Sequence, residues 1–202
     1  MRRKIWCFAT ALTALLSTAA ADAKPIEYTF SGTGDWTLNG LGGSGDFVVN
    51  LTADTSKIVG GMDTYGVFAS GTFSSGGSSV AFTEPGPVVA GNEVIDGTAP
   101  PGTMLFAQVP DSGPVTGLGL TNSLFETYDL SHALPLTSGT PEWVNTPFST
   151  SDGPLEFASI SAVSFQATIV PEPSTWAMLL LGFAGLGCVG YHLSRRSAVL
   201  AA

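Results

Sequence analysis

Few residues in this chain could do chemistry, and the first question is whether any of them stand at a useful spacing. His132 is the only histidine between residues 24 and 170, so a base is available but a multi-histidine metal site is not. Zinc sites built from Cys and His need several ligands, and the two cysteines, Cys7 and Cys188, both lie near the chain ends. Gly42-Gly43-Ser44-Gly45-Asp46 resembles the G-x-S-x-G nucleophile elbow but ends in Asp, and it adjoins no predicted strand-to-helix turn. Carboxylates are plentiful. Glu93 with Asp96, Glu126 with Asp129, and Asp152 with Glu156 are the closest acidic pairs, and they are candidate calcium ligands, with Glu93, Asp96, Asp152 and Glu156 the metal candidates. No D-x-[DN]-x-[DN]-G loop accompanies them. Paired carboxylates could also hydrolyse a glycoside. Trp36 and Trp143 are aromatic residues that could stack on a sugar; Trp36 reads as core, and Trp143, in a proline-rich stretch, is the candidate ligand-binding residue. No cofactor is expected, and the chain does not read as an enzyme.

The elements that would carry these residues read as strands. Residues 47–52 alternate Phe47, Val49 and Leu51 with Val48, Asn50 and Thr52, the period of a half-buried strand. Further strands are expected over 26–31, 36–38, 65–74, 80–84, 88–95, 104–109, 117–121, 124–130, 155–160 and 162–170. Gly32-Thr33-Gly34 is read as a turn, and Ser75-Gly76-Gly77-Ser78 as a hairpin connection. Residues 131–154 hold four prolines and read as one long loop, with at most a brief strand near Trp143. The expectation is one all-β domain, a single antiparallel β-sandwich or jelly-roll-like domain of eight to ten strands, spanning 24–170.

Those 147 residues carry fourteen Asp and Glu against Lys24 and Lys57 alone, a formal net of −12. Nucleic acid and anionic lipid share that sign and are poor partners. With no cysteine in the domain, stability must come from its core, for which fifteen aromatic residues are available.

The two ends have a different character. Met1-Arg2-Arg3-Lys4, an apolar run to Leu16 and the small residues Ala19 to Ala23 read as a signal peptide over 1–23, cut by signal peptidase after Ala21 or Ala23. At the other end, Pro171-Glu172-Pro173 forms a stiff extended peptide. An uncharged run, 176–191, follows and ends before Arg195-Arg196. As a helix it would reach about 24 Å against a hydrocarbon core of about 30 Å, marginal for a lasting span. The paired arginines would stop on the cytoplasmic side.

This tail resembles the PEP-CTERM sorting signal of Gram-negative bacteria. The resemblance places the signal at 171–196, with Pro171, Glu172 and Pro173 as motif, a transmembrane segment over 176–193, Arg195 and Arg196 as the basic membrane stop, and 197–202 as a cytoplasmic tail. It implies recognition by an exosortase, a transient stay in the inner membrane, and release to the cell surface or outside it. The function expected is a structural or adhesive role in an exopolysaccharide-rich envelope or biofilm. The alternative is a polysaccharide- or calcium-binding module kept as a single-pass anchor protein, and a glycan-active hydrolase is the least favoured reading.

Overall fold

In the computed structural model, residues 24–61, 64–91, 100–108, 116–144, 147–171 and 179–186 are described. The strands are β1 (Pro25–Leu38), β2 (Leu41–Asp54), β3 (Val59–Gly61), β4 (Thr64–Ser75), β5 (Ser78–Ala81), β6 (Gly86–Gly91), β7 (Thr103–Gln108), β8 (Thr116–Thr121), β9 (Leu134–Val144), β10 (Phe148–Thr150) and β11 (Gly153–Ile169). Two 3-10 turns, Thr55–Lys57 and Ser123–Glu126, lie between them.

The expected two-layer sandwich is corrected to a barrel. The strand order β1-β2-β4-β6-β7-β8-β9-β11 closes because β1 also pairs with β11, giving eight antiparallel strands in a ring, with β3, β5 and β10 attached. Two strands make the closure by passing from one half of the wall to the other. β4 pairs with β2 over Ser70–Ser75 and with β6 over Thr64–Ala69. β9 pairs with β11 through Gly139 and with β8 from Thr140 onward. At each switch stands a glycine: a Cβ on Gly71 would run into the Asn50 carbonyl, and one on Gly139 into the Thr121 carbonyl. Strands bend most sharply where no side chain keeps the neighbouring backbone away.

Connections in such a meander alternate between ends. Lys24, the first 3-10 turn with β3, the paired ends of β6 and β7 at Gly91 and Thr103, the second 3-10 turn and Pro171 therefore share one end. The β1–β2, β4–β5 and β10–β11 hairpins stand at the other. Two of these hairpins turn on residue pairs with positive φ, Asn39 (51°) with Gly40 (78°) and Gly76 (58°) with Gly77 (84°). That is the twist two-residue hairpins favour.

Three local expectations are also corrected. Gly32-Thr33-Gly34 is not a turn: β1 runs unbroken through it, with register shifts against β11, and a Cβ on Gly34 would strike the Ser159 carbonyl. Residues 131–154 form β9 and β10 and the start of β11. Proline is tolerated there because Pro135 falls where β9 slips register against β11, between the Leu134–Ala167 and Thr137–Phe165 pairs, and a bulge does not need every N–H. Residues 124–130 are no strand. Their alternation of Leu124, Glu126, Tyr128 and Leu130 imitates one, but Phe125, on the opposite phase, is buried along with Tyr128 and Leu130, while Leu124 stands exposed.

The interior is filled by side chains. Around Phe165 gather Tyr28, Phe30, Phe125 and Tyr128, with ring centroids 5.0–6.2 Å away. Towards the hairpin end, Phe47, Phe73, Phe157 and Phe148 form a second cluster, with Trp36 edge-on to Phe73 at 5.5 Å. Buried Gln108 joins β7 to the β10 region: its Nε2 donates to the Glu84 and Ser149 carbonyls, and its Oε1 accepts from the Ser149 N–H at 2.7 Å. The outer wall around β1 is polar, with Thr29 on Asn50, Thr33 on Asp46 and Ser159 on Asp35.

Replacing Gly71 or Gly139 by alanine is expected to lower the unfolding free energy by about 1–3 kcal/mol in denaturant titrations. Gly42→Ala is the control, since its Cβ would enter open space, and its effect is expected to stay within about 0.5 kcal/mol.

Candidate functional site

The end that carries both chain exits is built from three segments. β11 delivers the C-terminal one: its final residues pair with the start of β1, Ile169 opposite Ile26, and the Val170 N–H donates to the Pro25 carbonyl at 2.9 Å. Pro171, one residue later, is exposed. The backbone is held by the sheet up to Val170 and leaves it at a residue with no N–H to donate. Beside it, the Thr55 N–H and hydroxyl both donate to the Lys24 carbonyl. Asp54 caps the first 3-10 turn by accepting from the Ser56 N–H at 2.9 Å. The Ser56 hydroxyl and N–H, with Lys57 at 3.9 Å, hold the Asp54 carboxyl below its ordinary range.

The third segment stoppers the barrel. Asn122 caps the second 3-10 turn through the Leu124 N–H, Phe125 enters the core, and Leu130 is buried at a φ of 63°. Two tyrosines latch it: the Tyr28 hydroxyl donates to the Leu130 carbonyl and the Tyr128 hydroxyl to the His132 carbonyl, each at 2.7 Å. Asp129 accepts from the Ser131 N–H at 3.0 Å and the Ser131 hydroxyl at 2.9 Å, and its Oδ1 lies 2.8 Å from Nδ1 of His132. Burial raises the Asp129 carboxyl, but these hydrogen bonds and the adjacent imidazole outweigh it and leave it lowered.

A carboxylate-oriented histidine is the second half of a hydrolytic triad, so the position of Ser131 decides what this group can do. Its hydroxyl is engaged by Asp129 rather than by the imidazole, and the arrangement closes a turn instead of activating a nucleophile. The spacing Asp-x-Ser-His carried a local signal that was missed, an acidic residue bonding the backbone two positions on.

The remaining sequence candidates do not assemble. Ser44 sits within β2, and Trp36, expected in the core, is partly buried and packs against its edge, over Gly43 and Phe73, with its indole N–H buried without a partner. Trp143 lies on a barrel strand opposite Leu118 rather than in a loop; its side chain is outside the described residues. Asp152 is in the β10–β11 turn, accepting from the Ser151 hydroxyl, and Glu156 is on β11 opposite Thr37. Among the described residues, no group of three or more His, Cys, Asp or Glu could hold a metal ion. Glu93, Asp96, Glu172, Pro173, Arg195 and Arg196 lie outside the described residues, as do 187–202 and residues 1–23, where a signal peptide is expected. Residues 179–186 are an exposed helix, and among the described residues no helix is long and apolar enough to cross a membrane.

Burial, then the charges of Tyr128 and Asp129, push the Tyr28 hydroxyl well above its ordinary value, and burial followed by Asp129 does the same to Tyr128. A raised folded-state value means the stabilisation is complete below the unfolded tyrosine value of about 10 and is lost as pH climbs past it. Thermal melts are therefore expected to fall above about pH 10. Tyr28→Phe should flatten that decline while costing about 1 kcal/mol at neutral pH through the lost bond to Leu130.

No curated protein and no solved structure matches the chain. A family model does match residues 170–196, that of the PEP-CTERM protein-sorting motif, and it begins at Val170, the last residue bonded to the sheet. The chain thus carries a PEP-CTERM sorting motif behind its last barrel strand, the mark of an exported protein sorted by an exosortase.

Proposed function

We propose that the barrel is a non-catalytic domain, held briefly at the inner membrane of a Gram-negative bacterium by the 176–193 segment. Exosortase then removes the tail, and the barrel serves structurally or adhesively in the surface layer or biofilm matrix. The observation that carries this reading is the abrupt handover at Val170. The sheet holds the chain through one residue and leaves the next exposed, so a protease at the bilayer could cut the motif without unfolding the barrel. The interior supports the non-catalytic part, because the space that an eight-stranded barrel can offer a small ligand is occupied here by Tyr28, Phe30, Phe106 and Phe165, all fully buried. The acidic surface supports an extracellular setting, where like-charged molecules stay dispersed.

Mass spectrometry of the protein from its native cells is expected to find a C-terminus close to the prolines. A combined Pro171→Ala, Pro173→Ala variant should keep its tail and remain in the membrane fraction. Intact peptides through Ala202 from the released, surface-located wild type would overturn the proposal.

A further inference from the structure

We propose that the end of the barrel from which the sorting tail leaves is itself a bilayer-docking face, one that touches a zwitterionic lipid surface through exposed apolar side chains while the tail is inserted. This rests on the reading that residues 176–193 enter the membrane.

Single exposed apolar residues are ordinary on a protein surface, so their distribution is what matters. Outside the tail, the large hydrophobic residues that stand exposed among those described are Leu41, Val59, Phe68, Leu124 and Leu136. Val59 follows the first 3-10 turn, Leu124 lies in the second, and Leu136 is the third residue of β9 as it leaves the same end. Leu41 alone belongs to the opposite, hairpin end, and Phe68 to the side wall. Lys24 and Lys57, the cations of the 24–170 region, are also at the tail end.

Chain length brings that end to the membrane. Pro171 and Leu179 are eight residues apart, a connection that spans at most about 29 Å when fully extended. Leu179, Leu180, Leu181, Phe183 and Leu186 of the helix beyond it are 49–71% exposed. A helix with such a surface finds its cover in lipid, and the barrel end tethered to it cannot stand far off. Apolar contact, not charge attraction, is the source of docking: Asp54 offsets Lys57 at 3.9 Å, and Glu27, Glu126 and Asp129 at this end would oppose an anionic surface. Interfacial docking of this kind sinks apolar side chains about 5–10 Å into the headgroup boundary.

The test uses the full chain in phosphatidylcholine vesicles, in a Cys7→Ser, Cys188→Ser background. An environment-sensitive fluorophore is placed by Val59→Cys, Leu124→Cys or Leu41→Cys, and a fourth sample labels native Cys188 with Cys7→Ser. Lipid-borne quenchers are expected to reduce emission about twofold at 59 and 124 and to leave 41 unchanged. Equal, solvent-like emission at 59, 124 and 41 overturns the docking face. The Cys188 probe separates the two failures: if it is quenched while 59 and 124 are not, only the docking face falls, and if none is quenched the inserted tail falls with it.

Discussion

Everything in this molecule depends on β1 being paired along both edges. From Pro25 to Leu38 it bonds to β2, and from Ile26 to Leu38 to β11, so the strand that begins the domain is also the seam that closes it. An open sheet of this length would expose two edges to other chains, and closure removes them. It also places the two chain exits side by side, since β11 must end where β1 begins. The sorting motif at Val170 is therefore anchored by the first residues of the domain, Pro25 and Ile26, as much as by the strand that precedes it.

How much of this could be read from the chain alone follows from the range of the interactions. The alternation of Phe47, Val49 and Leu51 and the Gly76-Gly77 turn are local, and both are present as expected. Closure is not local: Ile26 pairs with Ile169, and no spacing within a window of a dozen residues encodes that contact. Sandwich and barrel share the same short strands and turn residues, and they differ in whether β4 and β9 bend across the gap. The glycines that permit the bend, Gly71 and Gly139, look in the sequence like any other interruption. The proline-rich stretch 131–154 was misleading for the opposite reason, because a bulge at Pro135 lets a strand form where composition argues for a loop.

The site was legible to a different degree. The tail could be read from one short motif, an uncharged run and two arginines, because a sorting signal must be recognisable independently of the fold in front of it. The barrel's chemistry could not, and His132 explains why. Its partner Asp129 lies three residues away, close enough to be seen, but its meaning turns on the Ser131 hydroxyl pointing to the carboxylate, which only coordinates reveal.

The packed interior and the position of the exits constrain function together. An eight-stranded barrel is at the size where the lumen either holds one small ligand or is filled by its own side chains, and the aromatic clusters around Phe165 and Phe157 place this one in the second class. Recognition is then left to the outer wall and the two ends. One end is committed to the tail and is stoppered by Phe125 under the latches of Tyr28 and Tyr128. The other carries the β1–β2, β4–β5 and β10–β11 hairpins, whose tips at Asn39-Gly40, Gly76-Gly77 and Ser151-Asp152 are small and polar. On the proposed reading the tail end faces the membrane, and these hydrogen-bonding tips, with the exposed Leu41 beside Asn39-Gly40, face away from it. A filled lumen and small polar tips would suit many weak contacts better than one tight pocket, which is the physical sense of the structural role proposed above.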